Sequence, residues 1–207
     1  MNTKIKKTLL TVGLSSSVML SMAQTPSATA TTTNPLLIPS TLSYGAPDFN
    51  RIKASDYLPA LEAAIAQQRK AINTIAESKQ TPTFRNTILA YENSGKLLDR
   101  VSSIFFCVDE ADKTPEIAAT EKAIMPQLTQ LDNDISFNEK LFRRVKYVYD
   151  HEFSKLKGED RRLLEEIYKG FVRNGALLSK EKKARVEQIN KRISDLQQQW
   201  GTQLQEA

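Results

Sequence analysis

Apolar residues recur every three or four positions from about residue 56 onward, which is the spacing of amphipathic helices. The pattern predicts six helices, at about 56–77, 83–111, from 114 on, 138–153, 159–174 and from 179 on. No stretch alternates cleanly between apolar and polar residues over several positions, so no strand is predicted. The sequence therefore predicts an all-α fold of several helices.

Residues at the helix ends support these boundaries. Ser55 and Ser179 are expected N-caps, and Thr114-Pro115 combines a cap with proline at the first helical position. Pro59 is expected in the first turn of the first helix, where its missing N–H costs little. Asn174-Gly175 gives the fifth helix a stop signal, and Gly95 marks a kink or a close packing point in the second.

The sixth predicted helix has a nearly heptad pattern. Its apolar positions are separated by three, four, three, four and four residues, and they are Val186, Ile189, Ile193, Leu196, Trp200 and Leu204. Such a seam predicts that helices five and six form an antiparallel hairpin. The pattern is still in phase at Gln205-Glu206-Ala207, so we expect a truncated chain or a partner segment on another chain. Without it, part of this apolar face would lack its packing partner.

Residues 1–23 have the features of a secretory signal peptide. Lys4, Lys6 and Lys7 form a basic start, residues 8–22 are moderately apolar, and Ser21-Met22-Ala23 places small residues before the expected cleavage site. A stable membrane anchor is the weaker alternative, because the stretch is short and contains several Ser and Thr, whereas a span needs about 20 apolar residues. The sequence therefore predicts export to the periplasm.

The segment 24–53 separates the signal peptide from the helical region. Residues 24–35 are rich in Thr, Ala and Pro and predict a flexible leader, and the rest is irregular, with Pro39, Gly45 and Pro47 as breakers. Several apolar residues could still pin the irregular part onto the helices: Leu36, Leu37, Ile38, Leu42, Tyr44 and Phe49. The predicted organisation is a signal peptide at 1–23, leader and irregular segment at 24–53, and a helical region at 54–207.

Charge and cysteine content exclude several classes. Removal of residues 1–23 takes away three Lys and no acidic residue, so the formal charge falls from +5 to +2. This charge is too small to indicate a nucleic-acid partner. Cys107 is the single cysteine, so no intrachain disulfide can form. It lies in the apolar run 104–108, where we expect a buried structural thiol.

Residues 151–155 read His-Glu-Phe-Ser-Lys and resemble the zinc-peptidase motif H-E-x-x-H. That motif needs histidines at i and i+4, which share one helix face and both bind the metal. Lys155 occupies the second position, and His151 is the only histidine in the chain. We therefore expect an exposed His151 near a helix C-terminus and no metal site.

Sequence motifs for other kinds of binding or catalytic site are also incomplete. The chain has no glycine-rich phosphate loop, and the adjacent acids Asp109-Glu110 and Glu165-Glu166 should point apart on a helix. Asp132 and Asp134 lack EF-hand spacing. Lys180–Lys183 with Arg185 is expected to be a solvated face. Six aromatic residues are expected mainly in the core, although a few could line a groove: Tyr147, Tyr149, Phe153, Tyr168, Phe171 and Trp200. No catalytic or metal-binding residue is assigned, and substrate-binding residues stay open.

Three segments resemble the thimet oligopeptidase and peptidyl-dipeptidase family of zinc metallopeptidases. In 163–204 the matching residues are Tyr168, Phe171, Gly175, Ala176, Leu178, Ser179, Lys183, Ala184, Arg185, Ile189 and Asn190. Residues 56–65 resemble the family's opening helix, and 138–142 its middle. The resemblance runs in order from about residue 36 to the end, and is similar to the bacterial peptidyl-dipeptidase branch.

The resemblance implies the N-terminal, non-catalytic region of a two-part helical enzyme built around a channel. It implies that zinc and the H-E-x-x-H residues lie in a C-terminal half beyond residue 207, so this chain binds no cofactor of its own. The implied substrates are unfolded oligopeptides, from which the whole enzyme removes C-terminal dipeptides. The alternative is a stand-alone helical binding or scaffold module without catalytic activity. These hypotheses differ in whether the reading frame continues into H-E-x-x-H.

Overall fold

The computed structural model of the protein describes residues 33–206, which form an all-α body without a strand in that range. The predicted signal peptide at 1–23 and residues 24–32 of the predicted leader at 24–35 lie outside the described residues. The helices are α1 (Ala54–Ala76), a π-helical segment (Phe84–Leu89) continuing into α2 (Ala90–Ser94), α3 (Lys96–Ala111), α4 (Pro115–Ser136), α5 (Glu139–Glu152), α6 (Gly158–Arg173) and α7 (Lys180–Glu206). The prediction of an all-α fold is confirmed.

Helix α1 lies at the centre and packs against α3 and α4. Its buried face carries Ala60, Leu61, Ala64 and Ile65. The helix begins two residues earlier than predicted because the N-cap is Lys53, whose backbone N–H donates to the Asp56 carboxylate at 2.8 Å. The assignment of Ser55 as N-cap was therefore wrong, and Pro59 lies inside the helix on its exposed side rather than in its first turn.

The second predicted helix, 83–111, is divided into three pieces. Thr83 caps the π-helical segment through the backbone N–H of Asn86, at 3.2 Å. Gly95 separates α2 from α3, and a Cβ atom there would lie 3.1 Å from Nε2 of Gln68 on α1. Gly95 is thus both an interruption and a close packing point, as its position in the sequence predicted.

The loop between α1 and the π-helical segment is held by Arg144 of α5. Its buried guanidinium donates to the backbone carbonyls of Ser78 and Gln80, both at 2.9 Å, and to Oδ1 of Asn86 and Oγ1 of Thr87, at 3.1 and 3.2 Å. Four neutral acceptors on one cation fix the loop against α5 and place the start of the π-helical segment. Burial lowers the pKa of Arg144.

Aromatic rings join α5 and α6. Tyr149 stacks on Tyr168 at 4.1 Å between ring centroids, and Phe142 lies 6.0 Å from Tyr168 and 5.9 Å from Phe171. Phe142 and Phe171 are buried, and Tyr149 and Tyr168 are partly so. These rings are core residues, as their helical spacing predicted. The prediction was wrong for Tyr147 and Trp200, which are exposed by 38 and 64 %.

Helix α7 packs mainly along α4, and the predicted antiparallel hairpin between α6 and α7 was wrong. Two hydrogen bonds join these helices: Nδ2 of Asn190 donates to Oδ1 of Asn133 at 2.8 Å, and the hydroxyls of Thr129 and Ser194 lie 3.1 Å apart. Ser179 caps α7 as predicted, with its Oγ 3.4 Å from the backbone nitrogen of Lys182.

The irregular segment 33–53 contains two short 3-10 turns, Pro35–Leu37 and Ser43–Gly45. Leu36 is buried, its carbonyl accepts from Arg100 of α3 at 3.0 Å, and Asn34 donates to the carbonyl of Asp56 at 2.7 Å. The prediction that apolar residues pin this segment holds for Leu36 and in part for Leu37. It was wrong for four exposed residues: Ile38, Leu42, Tyr44 and Phe49.

Candidate functional site

His151 lies exposed in the last turn of α5, where the sequence placed it. Its Nδ1 is 2.8 Å from the backbone carbonyl of Tyr147, and its ring stacks on the Tyr147 ring at 4.0 Å. Glu152 has a structural partner instead of a metal-bound water, because its Oε2 accepts from the backbone N–H of Phe84. With Lys155 at the second position of the motif, these residues do not fit a zinc ion.

Within residues 33–206, no three His, Cys, Asp or Glu side chains lie close enough together to share a metal ion. The predicted burial of Cys107 was wrong, since the thiol is exposed. The run 104–108 turns through about 400° of helix, so it cannot keep all five side chains on one buried face. Phe105 occupies the buried face, and Cys107 points to the opposite side.

A partly buried ion cluster joins α3 to α4. Lys113 contacts both Oδ1 of Asp109 at 3.3 Å and Oε2 of Glu121 at 2.6 Å. Desolvation by burial raises the pKa of Asp109, and the charge of Glu121 raises it further, while Lys113 opposes the shift. Asp109 is buried and Glu110 exposed, so the two acids point apart as predicted. We assign this cluster a structural role at the α3–α4 turn.

The basic start of α7 is only partly the solvated face that the sequence predicted. Lys180, Lys182 and Arg185 are exposed. Lys183 is the exception, because its side chain is 11 % exposed and contacts Glu139 at the start of α5, at 3.3 Å. This ion pair ties the first turn of α7 to the body.

A cleft of about 510 Å³ lies where α4, the α6–α7 turn and the first half of α7 meet. Its walls combine buried Asn133 and its partner Asn190 with Asn174, which donates to Oγ of Ser136 at 3.2 Å. Val186, Leu178 and Phe137 supply the apolar part. Sequence patterns could not reveal this cleft, because its polar side chains come from three separate helices.

Four apolar side chains of α7 are exposed on the face that does not contact α4. We call them the α7 stripe: Ile189, Ile193, Leu196 and Trp200, exposed by 42, 47, 45 and 64 %. At 100° per residue, the centre of the stripe lies about 110° around the helix from Asn190 and Ser194, the residues that contact α4. Helix α7 therefore forms hydrogen bonds to α4 on one side and exposes these four apolar side chains on another.

Among residues 33–206, no helix combines the length and the apolar character needed to cross a membrane.

Comparison with known proteins gives relatives along most of the chain. A dipeptidyl carboxypeptidase of Escherichia coli is 40% identical over 175 residues, and one of Salmonella typhimurium is 40% identical over 173 residues. The matches cover 84% and 83% of this chain. An oligopeptidase A of Salmonella typhimurium is 23% identical over 84% of the chain. The chain spans about a quarter of the length of these relatives, 26, 25 and 25%. No protein-family model matches the chain.

Proposed function

This chain is related in sequence to the bacterial dipeptidyl carboxypeptidases, which confirms the resemblance to the thimet oligopeptidase and peptidyl-dipeptidase family. From this relationship we propose that it is the N-terminal, non-catalytic part of an exported zinc metallopeptidase that removes dipeptides from the C-terminus of oligopeptides. The observation that carries the proposal is 40% identity over 84% of the chain, combined with a span of only 26% of the relative's length.

The bond-breaking residues, in this proposal, belong to the part of the relatives that the chain does not span. The described residues support this division, because the single histidine is exposed and does not fit zinc. The all-α body then forms one wall of a channel and limits substrates to unfolded oligopeptides. Zinc belongs to the longer protein, and this chain contributes selectivity instead of chemistry.

A peptidase assay of the full chain tests the proposal. The chain is incubated with an oligopeptide and zinc, and dipeptide release is followed by mass spectrometry, alone and after addition of the part of Escherichia coli dipeptidyl carboxypeptidase that it does not align with. We expect no release by the chain alone and release by the mixture. Robust turnover by the chain alone would overturn the proposed division, and a binding activity without any release by the mixture would favour the stand-alone helical module.

Zinc content gives an independent test. After dialysis against zinc, the chain and its His151→Ala variant should contain the same, substoichiometric amount of metal by elemental analysis. One zinc per chain, lost in the His151→Ala variant, would show that His151 binds metal and would contradict the proposed division.

Export is a separate part of the proposal and rests on residues 1–23 alone. Expression in a Gram-negative host, followed by mass spectrometry of the periplasmic fraction, should give a product that begins at Gln24. A product that keeps Met1 and stays in the cytosol would contradict export.

A further inference from the structure

The α7 stripe consists of Ile189, Ile193, Leu196 and Trp200 and lies on the side of α7 that α4 leaves uncovered. We propose that it is the docking site for an amphipathic helix, which belongs to the part of the longer protein that this chain does not span. This inference rests on the proposed function. It specifies which residues of this chain contact the rest of the longer protein, and what kind of segment covers them.

The spacing of the stripe indicates that its partner is a helix. Its members are separated by four, three and four residues, the a/d spacing of a coiled-coil seam. A seam of this kind receives the side chains of a second helix between its own and extends about 16 Å along α7. An extended strand, with side chains repeating every second residue, would not match this register.

The hydrogen bonds of α7 to α4 make the exposure of the stripe significant. Asn190 and Ser194 contact α4 through hydrogen bonds, while four large apolar side chains stay in water. An amphipathic helix on a globular body ordinarily buries its apolar face. As long as the stripe stays in water, its apolar surface adds nothing to the packing of α7, because burying apolar surface is the main driving force for helix packing.

The area of the stripe argues against a second copy of this chain as the partner. From the exposed fractions its apolar surface is on the order of 400 Å², about half of what one partner contributes to a standard stable interface. The relatives extend well beyond the 26% of their length that this chain spans, so a partner from that part can also contact the chain outside the stripe and does not depend on the area of the stripe alone.

Positive charges beside the stripe indicate which charge its partner carries. Arg185 and Arg192 lie about 50° and 70° from the centre of the stripe, on the same border. In the described part of the chain, neither side chain forms a salt bridge, and Arg185 contacts only the amide oxygen of Gln188, at 3.3 Å. In an antiparallel pair of α7 helices, which places the same border of both seams opposite each other, these cations would repel those of the second copy. They fit a helix that carries acidic residues beside its apolar seam.

The single tryptophan of the chain, Trp200, allows a direct test. The full chain is labelled with 5-fluorotryptophan and titrated with the unlabelled part of Escherichia coli dipeptidyl carboxypeptidase that it does not align with, whose folding is checked by circular dichroism. We expect the fluorine resonance of Trp200 to shift on binding and to lose its solvent isotope effect. The Ile193→Asp variant should bind at least about tenfold more weakly, since a charge would enter an apolar contact. Its control, Ala184→Asp, introduces the same charge at an exposed position about 150° around the helix from the centre of the stripe, and should bind within about twofold of the wild type.

Three results would overturn the inference: no binding at all, binding that leaves Trp200 solvent-exposed, or a shift that depends only on the concentration of the labelled chain. The last would show that a second copy covers the stripe. A peptidase assay on the same mixture separates this inference from the proposed function. Protection of Trp200 without dipeptide release means that the docking is right and the proposed function wrong, and release with Trp200 exposed means the reverse.

Discussion

The carboxylate of Glu152, at the C-terminal end of α5, accepts a hydrogen bond of 3.0 Å from the backbone N–H of Phe84, 68 residues earlier in the chain. This N–H is the first of the π-helical segment and has no partner within that segment. The glutamate that follows His151, in a sequence resembling a zinc-peptidase motif, therefore acts as a helix cap. Its role connects α5 to the start of the second helical region.

Replacing this carboxylate should destabilise the fold. In Glu152→Ala the N–H of Phe84 loses its charged acceptor, and we expect the free energy of unfolding to fall by about 1–2 kcal/mol. Glu152→Gln keeps an acceptor and should lose less. Urea denaturation followed by circular dichroism measures the difference, with exposed Glu166→Gln as the control. Equal stability of Glu152→Ala and the wild type would show that the cap contributes nothing.

Arg144 should be among the most sensitive positions in the molecule. Arg144→Ala removes the donor of four hydrogen bonds that fix the loop after α1, and we expect a loss of about 2–4 kcal/mol. Arg144→Lys should recover only part of this loss, since one ammonium cannot reproduce the guanidinium geometry. Arg143→Ala, exposed on the same helix, is the matched control, with an expected change within about 0.5 kcal/mol. A loss no larger than that of the control would refute the clamp.

Gly175 ends α6 in a conformation that other residues adopt poorly. Its φ is +93°, its N–H donates to the carbonyl of Val172 at 3.1 Å, and the N–H of Ala176 donates to the carbonyl of Phe171 at 2.9 Å. This is the Schellman pattern. A Cβ atom would lie 2.7 Å from Cδ1 of Leu178.

Gly175→Ala should therefore lower the free energy of unfolding by about 1–2 kcal/mol or more, through backbone strain and the clash. Gly170→Ala is the contrasting variant: Gly170 lies inside α6, and its added methyl meets no atom within 4 Å. We expect that variant to gain about 0.5–1 kcal/mol, since glycine is costly in a helix interior. Denaturation curves with the same sign of change for both variants would contradict this account.

The Asp109 cluster predicts a pH dependence of stability. Burial, with the charge of Glu121, raises the pKa of Asp109 above its ordinary value of 3.8, so the folded state keeps the proton to a higher pH than the unfolded chain. As the pH rises through and above 3.8, Asp109 ionises in the unfolded chain before it ionises in the folded protein, which favours unfolding. The free energy of unfolding therefore falls relative to that of an Asp109→Asn variant. Lys113, with an ordinary value of 10.5, titrates far outside this window.

Urea denaturation of the wild type and Asp109→Asn at several pH values between 3 and 7 checks the sign. The wild type should lose stability relative to the variant as the pH rises. A relative gain would mean that the ion pair with Lys113 outweighs desolvation, and that the pKa of Asp109 is lowered instead.

Much of the fold could be predicted from the pattern of apolar residues. The number and approximate limits of α1, α4, α5 and α6 follow from it, as do the caps at Thr114 and Ser179 and the stop at Gly175. The break of the second helix at Gly95 was predicted as a point and not as three pieces. The close approach of Gly95 to Gln68 on α1 is a contact that the local sequence does not contain.

Residue surroundings were predicted less well than helix positions. Cys107 was expected to be buried because its neighbours are apolar, yet a run of five helical residues covers more than one face. In the sequence, Glu152 follows His151 in an incomplete metal motif. Its capping role depends on the backbone N–H of Phe84, which only folding brings close to it. The absence of a complete H-E-x-x-H motif followed from the sequence alone, because a single histidine cannot supply two ligands.

The last helix shows most clearly which features follow from the sequence and which depend on the tertiary structure. The sequence by itself determined that α7 is a helix and that Ile189, Ile193, Leu196 and Trp200 share one face, because both facts depend only on the 3.6-residue period. Only the tertiary structure decided that α7 packs against α4 through Asn190 and Ser194, and that the apolar face stays exposed. The physical reason is that periodicity fixes which residues lie together on a helix, whereas the choice of partner depends on contacts between helices far apart in the chain.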